Sequence, residues 1–216
     1  MSAAPAYLND LEIDALTELV NIGVSRAAAS LRQMVDRQVF LSVPSVEVVS
    51  RREAVTLMAE REIGDLVAVR QDFTGAFSGR ALLIFPEANS LALVRAVTGD
   101  ELSDPEMRAF EDEALAETGN VVLNNCLATM ANMLQRPLDM SLPGVLRGEG
   151  ARLFQLDEAP ASDGVVLFLY INFAISERDV RGYIAVLMDL PSLDALKTLI
   201  GEFIARVVGA PAADGA

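Results

Sequence analysis

The 216-residue sequence predicts a single α+β domain with internal pseudo-two-fold symmetry. A mixed or antiparallel sheet is covered by helices, and two long helices lie exposed on one side. Two observations lead there. Sliding the chain against itself by 99 residues brings Glu18 onto Glu117, Asn21 onto Asn120, Arg37 onto Arg136, Ser42 onto Ser141 and Pro44 onto Pro143. Each half also reads as helix, strand, connection, strand, strand, helix. Strands in units this small need neighbours, so the two copies are expected to share one sheet rather than fold apart.

The elements follow in order. A helix over about 9–35 opens after Asn9 or Asp10 as its cap. The Val-rich alternation of "VFLSVPSVEVV" predicts a strand at about 38–49. The amphipathic stretch 52–65 could contact a partner, but reads more readily as a short packing helix. Residues 66–73 and 78–86 form a hairpin pair around a turn containing Gly75, and a helix over about 87–98 closes the first half. The second half repeats the pattern at about 105–136, 138–147, 164–174, 180–189 and 191–207. Pro44 and Pro143 fall inside predicted strands, which places them at an edge or a bulge. The domain is expected to span 1–209, with repeat one at about 9–99 and repeat two at about 105–207, and the tail 210–216 should be mobile.

Composition narrows the function. A formal charge of −14 makes nucleic acid and anionic membrane surfaces poor partners, and leaves open one that presents Lys or Arg. No apolar run reaches the roughly 18 to 20 residues of a membrane span, and the N-terminus does not read as a signal peptide, so a cytoplasmic protein is expected. The one cysteine, Cys126, lies among apolar neighbours and reads as core. Histidine is absent, which removes Ser-His-Asp and Cys-His machinery. Chemistry here must rest on carboxylates, amides and hydroxyls, or be borrowed from a partner. "GAFSGRALLIF" lacks the spacing of a phosphate-binding loop, and the acidic run "EDEALAE" lies on a helix without the glycine of a calcium loop.

On a helix turning about 100° per residue, Ile13, Leu16, Val20, Val24, Ala27, Leu31 and Met34 gather on one apolar face. Asp14, Glu18, Asn21 and Ser25 form a separate polar stripe. In the second copy Leu115, Val122, Cys126, Met130 and Met133 face the core, with Glu113, Glu117, Asn120 and Asn124 nearly opposite. Asn is a weak helix former, and like charges four residues apart slightly destabilise a helix. A face that twice opposes its own helix suggests a partner outside the chain. Geometry alone supports a binding stripe, not an enzyme.

The pattern acid or Ser, three residues, Glu, two residues, Asn, twenty-two residues, Pro resembles the signature of the CheC, CheX and FliY chemotaxis phosphatases. Asp14–Glu18–Asn21–Pro44 fits at every position. Glu113–Glu117–Asn120–Pro143 fits at Glu, Asn and Pro, and begins with Glu where Asp or Ser is usual. The likeness extends over nearly the whole chain: length, duplication and element order are similar to the CheC type, whereas a CheX type would carry one motif and a FliY type a further domain.

The resemblance implies a hydrolase that removes the aspartyl phosphate of phosphorylated CheY, the response regulator of chemotaxis two-component signalling. Glu18 and Glu117 would each pair with the regulator's Lys, and Asn21 and Asn120 would hold a water in line with phosphorus. Asp14 and Glu113 would be auxiliary, and Pro44 and Pro143 structural. No cofactor of its own is implied; Mg²⁺ belongs to the regulator. A second partner, the receptor deamidase CheD, is implied without an assigned residue. The competing expectation is a non-catalytic adaptor that binds the regulator, CheD or the flagellar switch without speeding hydrolysis.

Overall fold

The computed structural model describes residues 7–35, 38–98, 103–154, 164–175 and 178–209. The expected tail at 210–216, the repeat-matched Arg37 and the closing Gly99 of repeat one lie outside them. Helix α1 (Asp10–Val35) leads into β1 (Val39–Ser50), α2 (Arg51–Arg61), the hairpin β2 (Leu66–Gly75) and β3 (Gly79–Pro86), a short 3₁₀ turn and α3 (Ser90–Thr98). The second half runs through α4 (Asp104–Ala109), α5 (Glu111–Leu134), β4 (Leu138–Met140), β5 (Gly144–Gly148), α6 (Gly150–Leu153), β6 (Gly164–Ile175), β7 (Arg178–Asp189) and α7 (Leu190–Val208). Asn9 starts α1 as expected: its Oδ1 accepts from the Glu12 N–H at 2.9 Å, while Glu12 Oε2 accepts from the Asn9 N–H at 2.8 Å. This reciprocal pair satisfies two donors that the first turn would otherwise leave bare.

The strands form one seven-stranded sheet in the order β1-β6-β7-β3-β2-β4, with β5 also on β2, and every pairing among them is antiparallel. The repeats are interlaced. β1 of the first half pairs with β6 of the second, and β4 and β5 of the second pair with β2 of the first. At the centre Leu83 on β3 faces Ile184 on β7, and their other partners are Val69 and Leu169 respectively. Those positions are equivalent, so the pseudo-two-fold axis runs through the Leu83–Ile184 pair. Neither half carries a complete sheet alone, because each edge strand finds its hydrogen bonds on the other half's hairpin.

Side-chain alternation splits the core into two layers. Val67, Val69 and Phe73 of β2 face the layer that α1, α3, α5 and α7 fill with Leu16, Leu19, Leu93, Val122, Leu123 and Leu196. Leu66 and Ala68 face a smaller layer built with Ala54 and Met58 of α2 and with Leu153 and Phe154. Fully buried leucines such as Leu16, Leu19 and Leu31 each stabilise the fold by about 2 kcal/mol relative to exposure. Cys126 is buried as expected, and loss of solvation pushes its thiol up to about 12.

Several expected elements are revised. The helix expected at 105–136 is broken at Phe110, whose φ of −106° and ψ of 5° end α4 and reset the chain for α5. The strand expected at 138–147 divides into β4 and β5, so Pro143 sits in the gap between strands rather than within one. The ladder fails there because proline has no N–H to donate. Pro44 does lie within β1, an edge strand whose register shifts between Ser42 and Ser45. The packing helix of 52–65 stops at Arg61 and gives way to a turn in which Gly64 has φ 101°, a conformation that favours glycine. Met34, expected in the core, is 39% exposed, while Leu31 and Val35 of the same helix end pack against the core.

Candidate functional site

The polar stripes lie on α1 and α5, which pack against each other on one face of the sheet. Two glycines set how closely. A Cβ on Gly23 would come within 2.8 Å of the Cys126 Cα, so the helices touch backbone to backbone there. A Cβ on Gly119 would sit 2.4 Å from the Cβ of Val69, so α5 rests directly on β2. Arg26 of α1 also reaches across to donate from Nη1 to Thr129 Oγ1 of α5 at 3.4 Å.

On the α1 ridge Asp14, Glu18 and Ser25 are exposed and Asn21 is half-buried. Glu18, Asn21, Ile22, Ser25 and Arg26 line a shallow depression along the helix. Glu18 has no ion pair and Asn21 no side-chain hydrogen bond among the described residues, so both are available to an external group. They are three positions apart, almost one helical turn, and the two side chains project from the same face.

The α5 ridge repeats the outward placement: Glu113 and Glu117 are exposed, and Asn120 and Asn124 are half-buried. Its amides, however, are tied down. Asn124 Nδ2 donates to Asn120 Oδ1 at 2.6 Å. Beneath them Gln71 of β2, only 2% exposed, donates from Nε2 to Asn124 Oδ1 at 3.1 Å and to the Ser141 carbonyl at 2.9 Å, with a longer contact of 3.5 Å to Asn120 Oδ1. Gln71 Oε1 is buried without a partner, which costs roughly 1–3 kcal/mol.

Ser141 occupies the break between β4 and β5 and is clamped to Asp72. Its N–H donates to the Asp72 carbonyl at 2.8 Å, and its Oγ accepts from the Asp72 N–H at 3.0 Å. On the far side of the strand, burial works against ionisation of the Asp72 carboxyl. Hydrogen bonds from Arg70 and Arg80 outweigh that and hold it below the usual aspartate range. The start of α5 is anchored as well. Arg147 of β5 reaches Asp112 at 2.6 Å, Glu111 at 3.3 Å and Glu87 at 3.3 Å. Part of the acidic run at 111–117 is therefore an anchor for the helix, and no group of residues suited to a metal ion occurs among the described residues.

The two motif prolines mark where the edge strands lose register, at opposite edges of the sheet, and neither belongs to the exposed stripes. Gln71, Ser141 and Arg147 were not among the expected site residues. Gln71 had left a trace: in "LVAVRQDF" the positions Val67, Val69 and Phe73 face inward, and Gln71 is the polar residue in that series.

Comparison with known proteins agrees with this architecture. Residues 67–163, which include the second motif but not the first, match the family described as chemotaxis phosphatase CheX. The flagellar motor switch phosphatase FliY of Bacillus subtilis is 25% identical over 140 residues, covering 64% of this chain and only 36% of that protein. The CheY-P phosphatase CheC of the same organism is 21% identical over 204 residues, covering 90% of this chain and 96% of that one. The crystal structure of FliY from Thermotoga maritima superposes with a TM-score of 0.66 at 18% identity, covering 91% of this chain and 98% of that one. The FliM middle domain of H. pylori shares the fold as well, with a TM-score of 0.60 at 9% identity over 89% of this chain and 99% of that one. Sequence matches that span nearly the whole of CheC, a shared fold and a doubled acid–Glu–Asn helix agree: the chain is similar to the CheC, CheX and FliY phosphatases.

Proposed function

We propose that the protein hydrolyses the aspartyl phosphate of a phosphorylated CheY-type response regulator, using the ridges on α1 and α5 as two sites. One observation carries the reading. Each long helix holds an exposed Glu and, three residues on, a half-buried Asn on the same outward face, beyond the apolar layer that fixes the helix. Similarity to the chemotaxis phosphatase CheX family over residues 67–163 and the CheY-P phosphatase activity in the CheC relative's name support it.

The chemistry asks little of the chain. A water oxygen forms a bond to phosphorus as the bond from phosphorus to the aspartyl oxygen breaks; the water's proton passes to phosphate or solvent, and the regulator regains its carboxylate. Such transfers depend mainly on alignment and charge neutralisation. Glu18 or Glu117 docks on the regulator's active-site Lys through a charge-assisted hydrogen bond. Asn21 or Asn120 then holds the attacking water in line, since an amide can hydrogen-bond to it without becoming charged. Mg²⁺ bound by the regulator neutralises the phosphoryl oxygens. Asp14 and Glu113 extend the negative surface that meets the Lys. CheD as a second, regulatory partner belongs to the same proposal.

The test is phosphate release from a phosphorylated CheY-type regulator. The Asn21→Ala/Asn120→Ala double variant should slow turnover by about 100-fold, the scale set by losing alignment of a reacting water. Its affinity for the beryllofluoride-loaded regulator should stay within about three-fold, because the docking glutamates remain. Undiminished hydrolysis by the double variant would falsify the mechanism. Tight binding by the intact protein without any acceleration would reassign it as an adaptor.

A further inference from the structure

We infer that Gln71 is a positioning residue for the α5 site: it fixes the polarity of the Asn120 amide, so that its NH₂ group, not its oxygen, faces the incoming regulator. The inference rests on the phosphatase reading only for its effect on turnover; the hydrogen-bond geometry stands apart from it.

Polarity is set at the root of the network. The Ser141 carbonyl can only accept, and Ser141 is held on both sides by Asp72, so Gln71 must direct its Nε2 there. The second Nε2 proton goes to Asn124, which must therefore present Oδ1. Asn124 Nδ2 is then left to donate to Asn120 Oδ1. The Asn120 oxygen is occupied, and its Nδ2 is the free end of the relay.

Gln71 has no fold-level reason to be polar. Val48 and Arg147 are repeat equivalents whose strand partners are Leu167 and Val67, and counting along those strands puts Ile171 where the other half has Gln71. Ile171 is buried and apolar, and Ser25 stands in place of Asn124. The α1 ridge folds without a relay, and Asn21 is free among the described residues. The unpartnered Oε1 of Gln71 is a burden that an apolar residue would avoid, and the Nε2 of the same side chain comes within 3.5 Å of the Asn120 oxygen.

The decisive experiment uses the ¹⁵N-labelled full chain and two variants. Gln71→Met removes the root, and Asn124→Ser cuts the relay on the surface, without disturbing the core if the first variant folds poorly. Side-chain ¹⁵N relaxation should show the Asn120 amide more restricted than the Asn21 amide in the parent, and equally free in either variant. In an Asn21→Ala background, where only the α5 site works, each variant should lower kcat about ten-fold and leave KM within about two-fold, as loss of alignment without loss of docking requires. An Asn120 amide as mobile as Asn21 in the parent, or a kcat untouched by both variants, would overturn the assignment. Restriction that depends on Gln71 in a protein with no phosphatase activity at all would support the relay and sink the phosphatase reading instead.

Discussion

The α1 and α5 ridges carry the same acid, Glu and Asn at the same spacing, yet they are built differently. On α1, Asn21 lines a shallow depression and has no side-chain partner among the described residues, and the helix rests on its partner through Gly23. On α5, Gly119 lets the helix sit directly on β2, Arg147 holds its first turn, and Gln71 and Asn124 engage the Asn120 amide. The repeat position of Gly119 is Val20, and that of Arg147 is Val48. A duplication thus preserved the outward side chains while the layer below diverged. The lesson is that identical motifs need not give identical sites, since the freedom of an amide is decided by what lies under it.

The sharpest way to break this contrast is Gly119→Val, which gives α5 the residue that α1 carries. Its side chain would collide with Val69, so unfolding in urea should show a loss of about 2–3 kcal/mol, typical of overpacking without room to relax. A neutral result would mean that α5 is not seated on β2 as described. Next in size, comparing Asn21→Ala with Asn120→Ala isolates one site at a time. The protein that retains Asn120 should turn over about five- to ten-fold faster than the one that retains Asn21, because its amide is already ordered. Equal rates would show that preorganisation contributes nothing here.

Arg147→Met should cost about 1 kcal/mol, a modest figure because the guanidinium is 34% exposed and such pairs are screened. Hydrogen exchange should rise in the first turn of α5 and not in α1; a rise in both would remove Arg147 as a specific anchor. The smallest effect concerns pH. Asp72 titrates below the ordinary aspartate value of 3.8 in the folded protein, because its arginines outweigh its burial. Its contribution is therefore complete above that value and disappears as pH falls through the lower folded value. Asp72→Asn should flatten the stability curve in that acidic window and leave the neutral range parallel to the parent. An unchanged acid limb would show that the Asp72 pairs carry no stability.

Much of this was legible in one dimension. Helical periodicity named the core side of α1 through Leu16, Val20, Val24 and Leu31, and left Asp14, Glu18 and Ser25 outside. Pro44 announced an edge-strand irregularity, because a residue without an N–H has few places in a ladder. The break at Phe110 was not visible, since nothing in "RAFEDE" forbids a continuous helix. Nor was the division at Ser141–Pro143, where the clamp to Asp72 joins strands about 70 residues apart in sequence. Gln71 showed only as a polar interruption in an apolar alternation, with no sign of its partners.

Patterns of period 3.6 and 2 are local, so the order of residues was enough to specify helices, strands, the outward Glu–Asn stripes and the fact of a duplication. The interlacing of the halves, the seating of α5 on β2 and the direction of the Gln71–Asn124–Asn120 relay arose only when distant segments met. Hydrogen-bond polarity and close packing depend on which atoms come within about 3 Å, and sequence spacing does not encode that distance.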